Sequence, residues 1–239
     1  MKKILLYSGG MDSWLIDKLW NPDLRLYVDM HTKYSESEIQ KIKKQNSDVL
    51  IVDFPLGQWE RDDAIIPLRN LYLLMVVCNI TGDEDIELCY GATAGDRSKD
   101  QSLEFQHKAE ELLNYLYQPQ SWIPNGKNIK IITEFRQYTK AQMLQMYLDK
   151  GGTLEEAFNG SLSCYHPDEN LKECWNCKPC FRKFVAFAYC GYEFDKDIID
   201  KNMKYIKEHI APELEDGIYR CPDEDNEIRT VIAKYDEEE

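Results

Sequence analysis

A short glycine-containing segment near the amino terminus carries the residues best suited to chemistry. The hexapeptide Ser8-Gly9-Gly10-Met11-Asp12-Ser13 follows the apolar run 4–7 and precedes a segment, 14–19, with helical character. The paired glycines tolerate positive φ and let a ligand approach the backbone closely. The first amides of the following helix have no intrahelical partners, and the helix dipole favours an anion there. A phosphate group fits this position.

Asp12 narrows the kind of phosphate site that the hexapeptide predicts. Its carboxylate repels a bare phosphate, but a divalent cation between the two groups makes the pair favourable. The segment therefore indicates a phosphate that is bound together with a metal ion. The alternative is a structural turn whose helix is capped by Asp12 or Ser13.

Four cysteines in the second half of the chain form another group suited to chemistry. Their spacing, Cys164-x9-Cys174-x2-Cys177-x2-Cys180, allows four thiolates to surround one tetrahedral Zn²⁺ ion. Such a site is structural, because four cysteines leave no position for a catalytic water. Free thiols and an iron–sulfur cluster are the alternatives. The other cysteines are expected to be reduced and mostly buried: Cys78, Cys89, Cys190 and Cys221.

The composition is that of a globular chain with an excess of acid. Of the 239 residues 43% are hydrophobic, and 29 basic against 43 acidic side chains give a net charge of −14. This charge argues against a broad surface for DNA or RNA, but it is compatible with a local basic groove. No apolar run is long enough for a transmembrane helix, and the amino terminus is too short for a secretory signal. We expect a cytoplasmic protein without membrane association.

The elements that position these residues alternate between strands and helices. The run 49–53 is apolar throughout most of its length, as expected of a strand buried on both faces of a parallel sheet. The small-residue segment 91–96 directly follows a predicted strand, and ligands bind parallel sheets at the carboxyl ends of strands. The alternation predicts an α/β fold with a parallel sheet. Strands are predicted at 4–7, 25–29, 49–53, 86–90 and 129–133, and helices at 14–19, 36–45, 71–80, 103–117, 140–150, 181–189 and 195–210.

One boundary is predicted along the chain. Thr139 is suited to cap the helix that begins at Lys140, and Gly151-Gly152 ends this helix. We expect a nucleotide-binding domain at 1–150, a zinc-binding helical region at 151–220 and an acidic tail at 221–239. The acidic runs of this tail are typical of solvated segments.

The glycine segment and the cysteine cluster together resemble a known family. The hexapeptide is similar to the Ser-Gly-Gly-x-Asp-Ser pyrophosphate loop of the N-type ATP pyrophosphatases, also called PP-loop enzymes. The cysteine stretch resembles the zinc motif of one branch, the 7-cyano-7-deazaguanine synthase (QueC) family. The likeness extends from about residue 3 to about residue 188. Further matching motifs follow in the family's order: Pro67-x-Arg69-Asn70, Gly91 with Asp96 and Glu104-Phe105, and Thr139-Lys140-Ala141.

The resemblance implies a fold and a reaction. The fold is a doubly wound parallel sheet of the adenine nucleotide alpha hydrolase type, with a zinc knuckle and a helical carboxyl-terminal part. The reaction activates the carboxylate of 7-carboxy-7-deazaguanine with ATP and Mg²⁺, and ammonia then converts it to the amide and the nitrile. Transfer of AMP gives the acid a good leaving group, while Mg²⁺ and amide donors take up charge on the departing pyrophosphate. The resemblance also implies a homodimer.

The family motifs imply roles for individual residues. Catalysis is expected to need Asp12 to hold Mg²⁺, Ser13 as a donor, and Lys140 for a further phosphate contact. On the residues alone, Lys140 is equally compatible with a solvated lysine, Arg69 with a helix-start salt bridge, and Asp96 with a helix cap. The expected binding residues are Tyr7, Ser8, Gly9, Gly10, Met11, Asp12, Ser13, Arg69, Asn70, Gly91 and Asp96.

Two segments depart from the family pattern on the substrate side. Residues 31–35 replace an aromatic-Gly-Gln-Arg-His run, and residues 97–102 replace a longer loop that contains a cysteine. A QueC-like enzyme that modifies a nucleic acid or a protein, for example in phage or antiphage defence, is therefore one alternative. A non-catalytic nucleotide-binding module is another, although the intact Asp12, Ser13 and Lys140 count against it.

Overall fold

A parallel β-sheet organises the first part of the computed structural model, which describes residues 1–45, 48–63 and 65–236. The sheet has the order β3-β2-β1-β4-β5, and every neighbouring pair of strands is parallel. No helix within the described ranges is long and apolar enough to cross a membrane. The strands are β1 (Lys2–Leu6), β2 (Leu24–Asp29), β3 (Val49–Asp53), β4 (Ile86–Tyr90) and β5 (Ile129–Ile131).

The hexapeptide follows β1, the strand at which the order of the sheet reverses. The chain winds from β1 outward to β3 on one side and then places β4 and β5 on the other. The order reverses beside β1, and the crevice at the carboxyl ends of such strands is the usual ligand site in doubly wound sheets. Ile4 pairs with Leu24 on one side and with Leu88 on the other. The predicted α/β fold is confirmed.

Helices alternate with these strands along the chain and make up most of the carboxyl-terminal part. Short 3₁₀ turns lie at Gly57–Trp59, Lys99–Gln101 and Glu134–Gln137. The α-helices are α1 (Met11–Trp20), α2 (Ser35–Gln45), α3 (Arg69–Ile80), α4 (Leu103–Leu116), α5 (Lys140–Asp149), α6 (Leu154–Gly160), α7 (Lys178–Tyr189), α8 (Lys196–His209), α9 (Ala211–Glu215) and α10 (Pro222–Asp236).

The chain divides into two compact units. The first contains Met1–Ser8, Trp20–Ala92 and Asp96–Arg136, and therefore the whole sheet. Its core packs α3 and α4 against the strands, because both helices present apolar faces to the sheet. The core includes Ile4, Leu26, Leu74, Leu88, Leu113 and Ile131.

The second unit is helical and has α7 at its centre. It contains Gly9–Leu19, Thr93–Gly95 and Gln137–Glu239, and α7 packs against α5, α8 and α10. The aromatic residues of α7 differ in burial. Phe181, Phe184 and Phe187 are fully buried, whereas Tyr189 is 46% exposed.

The carboxyl-terminal acidic stretch differs from the solvated tail expected of it. Residues 222–236 form α10, which buries Ile228, Val231 and Tyr235 along one face. Their spacing of three and four residues is that of an amphipathic helix, and this apolar stripe outweighs the acidic composition. The last part of the predicted tail, residues 237–239, lies outside the described residues.

Candidate nucleotide and metal sites

The hexapeptide converts the end of β1 into the start of α1, as the sequence predicts. Gly9 has a φ of 72°, which favours glycine at this position. Gly10 then begins the helix, because its carbonyl accepts the Trp14 amide at 2.9 Å and the Ser13 hydroxyl at 3.1 Å. The first turn of α1 is thus fixed directly after the glycines, with the positive end of the helix dipole toward them.

A segment that leads into the cysteine cluster supports this turn. The Leu162 amide donates to the Gly9 carbonyl at 2.9 Å. The Met11 amide donates to the Ser163 hydroxyl at 3.3 Å. The shape of the glycine turn therefore depends on residues about 150 positions away in the sequence.

Asp12 and Lys140 meet at the amino termini of two helices. Asp12 lies in the first turn of α1, Lys140 is the first residue of α5, and the Lys140 ammonium contacts the Asp12 carboxylate. The side chain of Asp12 is 21% exposed and that of Lys140 is 11% exposed. A carboxylate suited to a divalent cation and an ammonium suited to a phosphate oxygen thus lie side by side. The burial of Lys140 excludes the solvated-lysine alternative.

The amino terminus of α5 carries a complete capping box. The Thr139 hydroxyl accepts the Gln142 amide at 3.1 Å, and the Gln142 side chain accepts the Thr139 amide at 2.9 Å. The predicted cap at Thr139 is confirmed. The same hydroxyl donates a second, short hydrogen bond to the carboxylate of Glu227 in α10.

The segment Thr93–Gly95 is held by arginines of the second unit. Arg182 donates to the Thr93 hydroxyl at 3.2 Å, and its guanidinium also pairs with both carboxylate oxygens of Glu224, at 2.8 and 3.1 Å. Arg220 donates to the Gly95 carbonyl at 2.8 Å. A side chain at position 95 has no space, because a Cβ there would collide with Glu224.

The remaining predicted site residues belong to the first unit. Asn70 is 4% exposed, and its side chain donates to the Asp100 carbonyl at 3.0 Å. The amide of Tyr7 donates to Leu26, and the half-buried Ser8 follows it. Asn70 therefore shapes the loop 97–102, which departs from the family pattern.

Arg69 and Asp96 have different surroundings within this unit. Arg69 begins α3. Burial raises the pKa of Glu38, and the positive charge of Arg69 acts in the opposite direction. Gly91 directly follows β4, and the Asp96 carbonyl accepts Arg136 at 2.9 Å. Asp96 does not cap α4, because Ser102 is the capping residue. The helix-cap alternative for Asp96 is therefore wrong.

His31, in the segment that departs from the family pattern, lies between two carboxylates. His31 Nε2 is 2.5 Å from Asp53 and 3.6 Å from Asp29, and the three side chains form a group that could hold a cation. Asp29 and Asp53 are the last residues of β2 and β3. The signal was present in the sequence, because both predicted strands end in aspartate.

The four clustered cysteines come together as their spacing predicts. Their Sγ atoms all lie within 4.8 Å of one another, and those of Cys174 and Cys180 are 3.9 Å apart. A tetrahedral zinc ion with bonds of about 2.3 Å needs sulfurs about 3.8 Å apart. The four sulfurs can therefore bind a metal ion, and the donor set and distances fit zinc.

Local structure favours a thiolate at Cys177, whereas hydrogen bonds with the neighbouring cysteines and burial raise the pKa of Cys164 and of Cys180. The amides of His166 and Cys174 donate to the sulfur of Cys164 at 3.2 and 3.3 Å. Cys177 caps α7, and the helix dipole stabilises negative sulfur there. Hydrogen bonds from the neighbouring thiols Cys164 and Cys180 lower the pKa of Cys177.

A buried ion pair behind the cysteines was not predicted from the sequence. Lys183 is 1% exposed, and its ammonium pairs with Glu173 at 3.0 Å and donates to the carbonyls of Phe158 and Ser161. Glu173 also accepts the Ser163 amide at 2.6 Å. Burial lowers the pKa of Lys183, and the charge of Glu173 opposes this shift.

Comparison with known proteins identifies the family. The model of the family described as "Queuosine biosynthesis protein QueC" matches residues 56–191, a range that contains Lys140 and all four clustered cysteines. The chain belongs to this family. It is therefore an enzyme of the QueC kind, as the resemblance implied.

Two curated relatives show how divergent this member is. The chain is 26% identical over 221 residues to 7-cyano-7-deazaguanine synthase from Marinomonas sp. (strain MWYL1), covering 80% of this chain and 94% of that protein. It is 25% identical over 217 residues to 7-cyano-7-deazaguanine synthase from Pseudoalteromonas translucida (strain TAC 125), covering 78% and 93%. The likeness thus covers almost the full length of both relatives.

Proposed function

We propose that the protein uses ATP to activate the carboxylate of 7-carboxy-7-deazaguanine and converts it with ammonia to the amide and then to the nitrile. The observation that carries this proposal is the contact between Asp12 and Lys140 at the amino termini of α1 and α5. In a chain of the QueC family, these groups provide one cation ligand and one phosphate ligand beside two helix dipoles.

The bonds change in a balanced sequence. A carboxylate oxygen attacks the α-phosphorus of ATP, and pyrophosphate leaves with the electrons of the broken P–O bond. Ammonia then attacks the acyl carbon, AMP departs, and the amide forms with loss of a proton. In the second cycle the amide oxygen attacks the α-phosphorus of a second ATP and pyrophosphate leaves; loss of AMP and of both amide protons then gives the nitrile. Each cycle consumes one ATP.

The proposed roles follow from the positions of the residues. Amides of the segment 9–13 and the Ser13 hydroxyl bind pyrophosphate oxygens, and Lys140 binds a further phosphate oxygen. Asp12 holds Mg²⁺, which neutralises charge that develops on the leaving group. From the family motifs we assign the remaining binding roles to Tyr7, Ser8, Arg69, Asn70, Gly91 and Asp96.

We also propose that the four cysteines hold a structural zinc ion. The sulfur separations support it, and four cysteine ligands fill a tetrahedral site. The ion stabilises the chain around Ser163, which supports the glycine turn through Met11. Its contribution is therefore to folding, with no part in bond making.

The test incubates the protein with Mg²⁺-ATP, ammonium and 7-carboxy-7-deazaguanine, and measures AMP, amide and nitrile by mass spectrometry. We expect all three products, and we expect Asp12→Asn and Lys140→Gln each to lower the rate at least 100-fold. Lys201→Gln is the matched control, because Lys201 lies on α8, is half exposed and pairs with Asp197 one turn away on the same helix. Absence of AMP and of both products with zinc-loaded wild-type protein refutes the proposal.

The departures at residues 31–35 and 97–102 support a second candidate acceptor. An altered substrate side is compatible with a nucleic acid or a protein that receives the activated acid. This candidate predicts AMP release only when the macromolecule is supplied, with a mass increase on that macromolecule. Release of the free nitrile excludes it.

A further inference from the structure

The amino-terminal half of α10 contacts the segment that carries Lys140. Glu227 is 4% exposed, and its carboxylate accepts the hydroxyl hydrogen of the fully buried Thr139. We propose that Glu227 is a positioning residue, which orients Thr139 and through it places Lys140 for ATP binding. This inference rests on the proposed function, because it concerns the same phosphate site.

The hydrogen-bond chemistry of Thr139 gives the link its direction. A hydroxyl has one hydrogen to donate and lone pairs with which to accept. Since the hydrogen is directed to Glu227, the lone pairs face the Gln142 amide at 3.1 Å and complete the cap of α5. Without Glu227, the Thr139 hydroxyl can rotate away from the Gln142 amide, and the first turn of α5 is held less firmly.

Lys140 is sensitive to the position of this turn. It is the first residue of α5 and directly follows Thr139 in sequence. Its ammonium contacts Asp12 in the first turn of α1. A small movement of the α5 amino terminus therefore changes where the ammonium lies relative to the carboxylate, and phosphate binding depends on this geometry.

Packing alone does not explain a carboxylate at position 227. The apolar face of α10 is formed by Ile228, Val231 and Tyr235, all buried. Burying a carboxylate is unfavourable unless it is hydrogen-bonded, so an apolar side chain would serve packing better. The hydrogen bond to Thr139 is the feature that an apolar residue cannot reproduce.

Other contacts from the same stretch reach Thr93–Gly95, which lies within the small-residue segment 91–96. Glu224 holds Arg182, which donates to Thr93, and Arg220 donates to the Gly95 carbonyl. Asp223 accepts the side chain of Gln142, the residue that completes the α5 cap, at 3.0 Å. Residues 220–227 thus support both the Thr93–Gly95 segment and the Thr139–Lys140 segment.

The family match does not assign this role. It ends at residue 191, whereas α10 begins at Pro222. The support for Lys140 that we infer therefore comes from a part of the chain that lies beyond the matched range.

The experiment compares Glu227→Met, Glu227→Gln and the control Glu215→Leu, whose side chain is exposed on α9. Dissociation constants for Mg²⁺-ATP are measured by titration calorimetry, well below the unfolding temperature of each variant, and kcat and KM for ATP are measured by AMP release. We expect Glu227→Met to weaken ATP binding about tenfold, about the value of one buried hydrogen bond. Glu227→Gln, which keeps an acceptor oxygen, should recover most of the affinity.

The outcomes separate this inference from the proposed function. Folded Glu227→Met with the affinity of the wild type and of Glu215→Leu overturns the positioning role while leaving the proposed function intact. A wild-type protein that neither binds nor cleaves Mg²⁺-ATP overturns the proposed function before any variant is compared.

A second pair of variants covers the case in which Glu227→Met does not fold. Thr139→Val removes the hydroxyl that Glu227 accepts, and Thr139→Ser keeps it. We expect tighter ATP binding by the serine variant than by the valine variant. Equal affinities of the two variants overturn the inference.

Discussion

Replacing Glu227 by glutamine should change how the stability of the protein depends on pH. Burial raises the pKa of Glu227 from 4.5 to about 7, nearby Glu224 and Asp223 add to the rise, and the hydrogen bond from Thr139 opposes it. The positive charge of Arg182 on α7 also lowers the pKa of Glu227. The thiol of Cys190 also lies near Glu227, and burial raises its pKa to about 12. Glutamine keeps the acceptor oxygen but does not titrate.

The sign follows from which state holds the proton. Between 4.5 and about 7 the folded protein keeps a proton on Glu227 that the unfolded chain has already lost. The free energy of unfolding therefore falls as the pH rises through this window. Because Glu227 is only 4% exposed, solvent screens this shift little. The difference between the two pKa values contributes about 3 kcal/mol to the free energy of unfolding at low pH, and about 2 kcal/mol of it is lost between about pH 5.5 and about pH 8.5.

Urea unfolding of the zinc-loaded, reduced protein at the two pH values measures this effect. The wild type should lose about 2 kcal/mol more than Glu227→Gln on going to the higher pH. The comparison cancels the titration of all other groups and any constant cost of the substitution. The reasoning is refuted if the wild type and the variant lose the same free energy, because Glu227 would then titrate as an ordinary exposed carboxyl.

Three further predictions follow from the packing of the second unit. Cys174→Ser should lower the zinc content measured by atomic absorption and unfold the region around the cluster, seen as faster hydrogen exchange in α7, because metal binding contributes folding free energy. Lys183→Met leaves Glu173 buried without its partner and should cost about 3–5 kcal/mol in urea unfolding, whereas the double variant with Glu173→Gln should cost clearly less. Gly95→Ala should displace Glu224 and cost about 1–3 kcal/mol, and a stability equal to the wild type would show that the Thr93–Gly95 segment is not closely packed.

The parts of the site that sequence reasoning predicted correctly depend on short-range patterns. The turn at Gly9 and Gly10, the cap at Thr139 and the cysteine cluster each need only neighbouring residues or a characteristic spacing. The parallel sheet likewise follows from apolar runs and their alternation with helices. Such signals survive in a sequence that is only 26% identical to a curated relative.

The parts that sequence reasoning missed are contacts between distant residues. Nothing beside Glu173 in the sequence indicates that Lys183 is its buried partner, and nothing beside Ser163 indicates that it supports Met11. The short helix α6 was also missed, although Thr153 and Glu156 form a capping box at its start. Its seven residues are too few to show helical periodicity.

The acidic stretch 223–227 shows why charge counts alone give the wrong environment. Three of its carboxylates are buried, and each has a specific partner. Glu224 pairs with Arg182, Asp225 accepts the amides of Tyr219 and Arg220, and Glu227 accepts Thr139. A carboxylate can be buried where hydrogen-bond donors satisfy it. The apolar stripe of α10, and not its acidic composition, is therefore the feature of the sequence that predicts burial of this stretch. A net charge of −14 therefore overstates the acid that faces solvent, and it is weak evidence about which ligands the site accepts.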